Sequence, residues 1–259
     1  MPTPPSFTLR YLGGASALLD FGGVTFLLDP TFDAPGEHPV GERVLVRTEA
    51  PAAGPDEVGA VDVVLLSHDQ HPDNLDRGGR EYLDTARLVL STASAEQRIG
   101  GAVQALPNWL STEFDRPEGG TVVVTGVPAL HGPEGSEPVV GEVTGFVLSG
   151  EELPTVYVSG DNASLDLVRK IGERLGPIDI AVLNAGGART ALMGEEYLTL
   201  PSPDAAEAAR ILGSGVVIPL HFEHWTHFSQ DADSLVAAFA AAGLEDRLRM
   251  LKPGDSTSV

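Results

Sequence analysis

The sequence contains no cysteine. That excludes disulfides, thiolate zinc sites, iron–sulfur clusters and a cysteine nucleophile. Basic residues are scarce too: 16 Lys and Arg stand against 37 Asp and Glu, for a net charge of −21 at pH 7. No run of Lys or Arg gathers anywhere, so the chain is expected to repel phosphate backbones and anionic lipid. Nucleic-acid and membrane partners are therefore not expected. The acidity either serves solubility alone or is offset in part by divalent cations. No stretch approaches the roughly 18 consecutive apolar residues of a membrane span. Met1 to Arg10 shows neither a basic nor an apolar segment, so no secretory signal is expected. Together with the missing cysteine, this makes the cytoplasm the expected address.

What is present reads as globular. Hydrophobic residues at 42% and charged ones at 20% argue against disorder, and 259 residues can bury a real core. Thirty Gly and 20 Pro predict many turns and short elements. No internal repeat, low-complexity tract or linker divides the chain, so one domain over 1–259 is expected. Segments 7–12, 15–21 and 24–28 are apolar runs separated by Gly13-Gly14 and Gly22-Gly23, the pattern of an antiparallel meander. Residues 33–59 read as loop. Strands are expected at 61–67, 87–91, 121–130, 143–148, 155–159, 178–184 and 216–220, with a last one at 248–251. Helices are expected at 163–175, from a Ser202 cap to Gly213, and at 231–242. Strands first and then strands alternating with helices make a mixed α/β chain.

The seven histidines carry the chemistry: His38, His68, His71, His131, His221, His224 and His227. His68, His131 and His221 each directly follow an expected strand, and His71 lies three residues past the first. Asp73 shares the loop of His71, and Asp161 lies just beyond the strand at 155–159. Side chains at the carboxyl ends of neighbouring strands converge on one sheet edge. One such histidine alone would pass for a solvated loop residue; four with two aspartates would not. Imidazoles and carboxylates without thiolates suit Zn²⁺, Mn²⁺ or Fe²⁺.

The segment Ser67-His68-Asp69-Gln70-His71-Pro72-Asp73-Asn74-Leu75-Asp76 resembles the HxHxDH signature of the metallo-β-lactamase-fold superfamily. It departs twice: one extra residue separates the first two histidines, and Asn74 stands where the last one belongs. Leu27-Leu28-Asp29-Pro30, Ala129-Leu130-His131-Gly132, Ser159-Gly160-Asp161-Asn162 and Pro219-Leu220-His221 resemble the other motifs and fall in family order. The resemblance runs from Phe7 to Pro253 and is nearest the branch that includes L-ascorbate-6-phosphate lactonase.

The resemblance implies a four-layer αββα sandwich of two mixed β-sheets with a site for one or two divalent ions at one edge. His68, His71 and His131 would hold the first ion, Asp161 would bridge, and Asp73 and His221 would hold the second. Zn²⁺ leads, with Mn²⁺ and Fe²⁺ as alternatives. Asn74 is a neutral donor, so the second ion is expected to be the weaker. A competing register aligns Asp69, His71, Asp73 and Asn74 and leaves His68 outside; Leu66-Ser67-His68 reproduces the family's strand ending and favours His68. Asp73 is placed to orient the nucleophile and shuttle its proton. Asp29 either hydrogen-bonds a ligand imidazole from behind or is a turn residue before Pro30. His224, Trp225 and His227 either line a substrate pocket or pack at a helix entrance. Ala185-Gly186-Gly187 either offers N–H groups to an anion or forms a simple turn. The expected activity is hydrolysis of a small ester, lactone or phosphodiester by a metal-activated water. The alternative is a non-hydrolytic metalloprotein, an isomerase, cyclase or binding protein with a degenerate second site, kept open by Asn74 and the inserted residue. Oligomeric state leaves no signal.

Overall fold

A computed structural model describes residues 6–41 and 43–259. The chain opens with an antiparallel meander of β1 (Phe7–Gly13), β2 (Ser16–Phe21) and β3 (Val24–Leu28). A hairpin of β4 (Gly36–Val40) and β5 (Arg43–Arg47) follows, then a single-turn helix α1 (Pro55–Val58). The stretch 33–59 is thus partly ordered rather than all loop. Next come β6 (Val63–Leu65), α2 (Arg77–Leu83), β7 (Val89–Ser91), α3 (Ala93–Ile99) and β8 (Val103–Ala105). The strands of this group extend β3 in parallel, as helical crossovers require.

A second sheet takes β9 (Ser111–Asp115), β10 (Thr121–Pro128), β11 (Thr144–Gly150), β12 (Val156–Val158), β13 (Ile180–Asn184) and β14 (Val216–Leu220). Its spatial order is β14-β13-β12-β11-β10-β9. A single turn α4 (Glu137–Val140) precedes β11, and α5 (Leu165–Leu175) and α6 (Ser202–Leu212) connect its parallel strands. After α7 (Ala232–Ala241), β15 (Ser256–Ser258) returns beside β1, so the first sheet runs β15-β1-β2-β3-β6-β7-β8. The expected strand at 248–251 does not form: Leu248 makes one bridge to Val217, and the polar Ser256–Ser258 is the closing strand instead.

Alternation explains the layers. Phe26 and Leu28 of β3 and Val63 and Leu65 of β6 join the core between the sheets, where Phe26 meets Phe114 edge-on at 6.1 Å. Leu27, Val64 and Leu66 point the other way, against Tyr82, Leu83 and Ala95 of α2 and α3. On the far side Val168, Ile171, Ala205 and Ala209 seat α5 and α6 on the second sheet. The result is the helix–sheet–sheet–helix sandwich. Ser164 caps α5 and Asp231 caps α7, each side chain accepting a backbone N–H three residues on. Ser202 does not cap α6 as expected; Pro201 takes that position. No described helix is long and apolar enough to cross a membrane.

Candidate metal centre

Six strands deliver side chains from their carboxyl ends to one edge. Asp29 follows β3, Ser67 and His68 follow β6, His131 follows β10, Asp161 follows β12, Asn184 ends β13 and His221 follows β14. Asp29, His221 and His224 hold positive φ angles of 37°, 59° and 73°, three of the five such non-glycine residues described. Strained backbone concentrates where side chains must be aimed.

His68 Nε2 lies 3.0 Å from His71 Nδ1, and His131 Nε2 lies 3.2 Å from the same atom. All three rings are buried. Two of them have their free nitrogen set from behind. His131 donates its Nδ1–H to the Leu198 carbonyl at 2.7 Å, leaving the Nε2 lone pair for the centre. Asp29 accepts from Ser67 N–H at 2.6 Å and from Ser67 Oγ at 2.9 Å, and that hydroxyl accepts from His68 Nδ1 at 3.0 Å. Asp29 therefore orients the imidazole of His68 through Ser67 rather than by direct contact. Burial lifts the Asp29 carboxyl to about 7 against these bonds.

A second set adjoins the first. Asp73 Oδ2 lies 3.1 Å from His221 Nε2 and 2.9 Å from His227 Nε2. Asp161 sits between the sets: its Oδ2 is 3.8 Å from His131 Nε2, and its Oδ1 is 3.6 Å from His221 Nδ1. Burial would raise the Asp161 carboxyl, but His221, His131 and His68 outweigh it and hold it at about 2. Against the same burial, His227 and His221 hold Asp73 well below the usual carboxylate range. Asn74 donates to Asp29 Oδ2 at 3.1 Å and to Asp161 Oδ1 at 3.2 Å. Asn184 donates to Asp161 Oδ1 at 2.7 Å.

Two groups could each hold a cation, His68 with His71 and His131, and Asp73 with Asp161 and His221; within each, the ligand atoms lie inside 4.8 Å of one another. The donors fit a borderline divalent ion. Asp73 Oδ1, Asp161 Oδ2 and His221 Nδ1 are buried with no hydrogen-bond partner, an arrangement that is costly unless something else meets them. Burial pushes His68 well below its ordinary value, and burial with His131 alongside brings His71 to about 4, so both rings stay neutral and ready to ligate. The stability His71 contributes is complete above its unfolded value of about 6.5 and is lost as pH falls toward its folded value of about 4. Unfolding midpoint and metal retention are expected to fall together across that window, as thermal melts and metal analysis after dialysis would show.

Other expected residues lie elsewhere. Asp69 is turned away, paired with Arg98 Nε at 3.0 Å. His224 and Trp225 are buried behind the centre, His224 against Gly13 and Trp225 under the Arg47 guanidinium at 5.6 Å. Of the three residues expected to meet substrate, only His227 lines the cavity over the centre, with Arg43, Leu45, His71, Asp73, His131, Ala188, Arg189, Thr190 and Leu198. That cavity measures about 20 Å³, room for about one water. Gly186 makes a close approach instead of an anion nest, since a Cβ there would run into the His221 carbonyl oxygen. Gly187 N–H is already spent on Leu200 O at 3.2 Å. Sequence reasoning missed Asn184, Arg43 and Arg189. The position of Asn184 at the end of a fully buried strand was the available signal.

Comparisons with known proteins fit this geometry. A family model described as Beta-lactamase superfamily domain matches residues 25–222. A UPF0173 metal-dependent hydrolase from Rubrobacter xylanophilus is 29% identical over 258 residues, covering 95% of this chain and 94% of its own. Another from Pyrococcus abyssi is 26% identical over 253 residues, covering 95% and 97%. Among solved structures, a possible metal-dependent hydrolase from Veillonella parvula superposes with a TM-score of 0.85 at 17% identity, over 98% of this chain and 100% of that one. An isothiocyanate hydrolase from Delia radicum gut bacteria gives 0.82 at 20%, over 97% and 98%. The two structural likenesses establish the fold.

Proposed function

The chain belongs to the beta-lactamase superfamily as a metal-dependent hydrolase, and on that premise we propose that it cleaves a small ester, lactone or phosphodiester at its histidine–aspartate edge. The observation that carries the reading is the pair of convergent ligand sets with partnerless buried lone pairs. His68, His71 and His131 would hold a first ion, Asp161 would bridge, and Asp73 and His221 would hold a second. Zn²⁺ suits the donors best, with Mn²⁺ and Fe²⁺ next. Bound there, the ion supplies Lewis acidity and brings the pKa of its water from about 15.7 towards about 7.

The rest of the work falls to the chain. Asp73 stays ionised, anchored through Oδ2, and its unpartnered Oδ1 takes the proton of the attacking water and returns it to the leaving group. Leu45, Ala188 and Leu198 keep bulk water from the reacting atoms. Arg43 and Arg189, half-buried in the same cavity, meet an anionic group on the substrate. Arg43 also donates to Thr190 Oγ1 at 2.7 Å, tying the β4–β5 hairpin to the facing segment, so entry of substrate requires these two to part.

Purified protein is expected to carry at least one equivalent of divalent transition metal and to turn over generic ester, lactone or phosphodiester reporters. Reporters bearing a carboxylate or phosphate are expected to give the higher kcat/KM. Tight metal with no turnover across the panel would favour the non-hydrolytic metalloprotein. Well under half an equivalent after reconstitution with Zn²⁺ or Mn²⁺ would remove the metalloenzyme reading itself.

A further inference from the structure

We propose that His227 is a metal ligand of the second set and supplies the imidazole that Asn74 lacks. The inference rests on the metal-hydrolase reading above and extends it to a residue outside the HxHxDH-like segment.

The amide nitrogen of Asn74 is committed elsewhere, while its Oδ1 is buried without a hydrogen-bond partner. The nitrogen donates to Asp29 and Asp161 at 3.1 and 3.2 Å and reaches Ser67 Oγ at 3.4 Å. Such an amide braces the carboxylates and adds no imidazole to the site. His227 takes up the deficit from the other side of Asp73. Its Nε2 lies 2.9 Å from Asp73 Oδ2, the atom that His221 Nε2 meets at 3.1 Å. The nitrogens of the three-histidine set are spaced at 3.0 and 3.2 Å. Atoms bound about 2.0–2.1 Å from one tetrahedral ion lie about 3.3 Å apart, and each of the two imidazole nitrogens stands at about that distance from Asp73 Oδ2, with the His221 and His227 ring centroids 6.4 Å apart.

The backbone presents this ring rather than letting it swing. After β14, His221 and His224 turn the chain with φ angles of 59° and 73°. Bridges Arg47↔Trp225 and Ala188↔Phe228 then fix the residues flanking His227. The Arg189 N–H donates to the His227 carbonyl at 3.3 Å. The Phe228 ring packs 4.5 Å from the His227 ring and 4.4 Å from that of His221, holding the two imidazoles on one side of Asp73. A ligand held this way loses little freedom on binding.

Apo protein titrated with Zn²⁺ by calorimetry is expected to take two equivalents. His227→Ala is expected to weaken the second at least about tenfold, the low end of what losing even an outer hydrogen-bonding partner costs, and to leave the first unchanged. Circular dichroism checks that the variant is folded. In the native protein loaded with two Co²⁺, each ligating histidine gives one strongly shifted imidazole N–H proton resonance. Five are expected, from His68, His71, His131, His221 and His227. Four such resonances, or a second equivalent untouched by His227→Ala, or only one equivalent in the native chain, would overturn the assignment and leave the hydrolase reading standing. No metal uptake at all would overturn both.

Discussion

Replacing His68 with alanine is expected to strip the first metal as completely as replacing His131, whereas Asp69→Ala is expected to keep it. The reason lies in where the inserted residue of the His68-Asp69-Gln70-His71 turn sends each side chain. His68 is fully buried, with Nε2 facing His71 Nδ1 at 3.0 Å and Nδ1 braced by Ser67. Asp69 is buried too, but it turns away from the centre into Arg98 and Arg80, both of them about half exposed. Losing a partner that only orients a ligand costs roughly 10–100-fold in metal affinity, so losing the ligand itself is expected to cost more than about 100-fold. Losing Asp69 frees two half-exposed arginines that can turn to water, so its cost falls on folding and not on the metal. Metal analysis after dialysis reads the first effect and urea unfolding the second. Metal kept in His68→Ala but lost in Asp69→Ala would mean that the competing register is the working one.

These residues also show what made part of the site legible in sequence. His68, His131, Asp161 and His221 were visible because each stands where an apolar run stops, and parallel strands bring such positions to one edge. The role of Asp29 was half visible: it does stand behind an imidazole, but through the Ser67 hydroxyl, and sequence spacing carries no record of a relay through a neighbour. His227 was grouped with His224 and Trp225 because the three are close in sequence. Two left-handed residues and two backbone bridges separate them in space, placing His227 on Asp73 and the others behind. Arg43 and Arg189 gave no signal because each comes to the cavity from a loop or hairpin whose closure is a tertiary event.

The fold divides along the same line. Strands β1 to β3, β6 and β10 to β14 carry continuous or alternating apolar residues that the core uses, and these were readable. The strand β9 is exposed at every second residue and ends a sheet, so its backbone pairing with β10 decides it, not its side chains. Polar Ser256–Ser258 closes the first sheet for the same reason, while the more apolar 248–251 packs without pairing beyond one bridge. The helix α2 holds Gly78 and Gly79, which argue against a helix by propensity. Gly79 is needed because a Cβ there would meet the Pro30 carbonyl.

Asp76→Ala is expected to be among the most destabilising single changes in the protein, and clearly worse than Arg47→Met. Arg47 and Asp76 are both fully buried and joined at 3.0 Å from Nη1 to Oδ2. Asp76 accepts at the same time from the backbone N–H groups of Phe32 at 3.0 Å, Asp33 at 2.7 Å and Gly79 at 2.7 Å. One carboxylate thus caps α2, fixes the segment after β3, and holds the end of the β4–β5 hairpin three residues along from Asp73. Burial drives both groups toward their neutral forms, raising Asp76 and lowering Arg47, so the pair exists at a desolvation cost met only while both partners remain. Removing Asp76 leaves a guanidinium buried over Trp225 and three N–H groups unpaired. Breaking such a pair costs about 3–5 kcal/mol, a large share of the 5–15 kcal/mol typical of a whole domain. Arg47→Met leaves Asp76 its three N–H donors and fills much of the same space, so about half that loss is expected. Urea unfolding of the metal-loaded variants measures both. Equal losses, or a mild Asp76→Ala, would show that the hairpin and helix are held by apolar packing and not by this carboxylate.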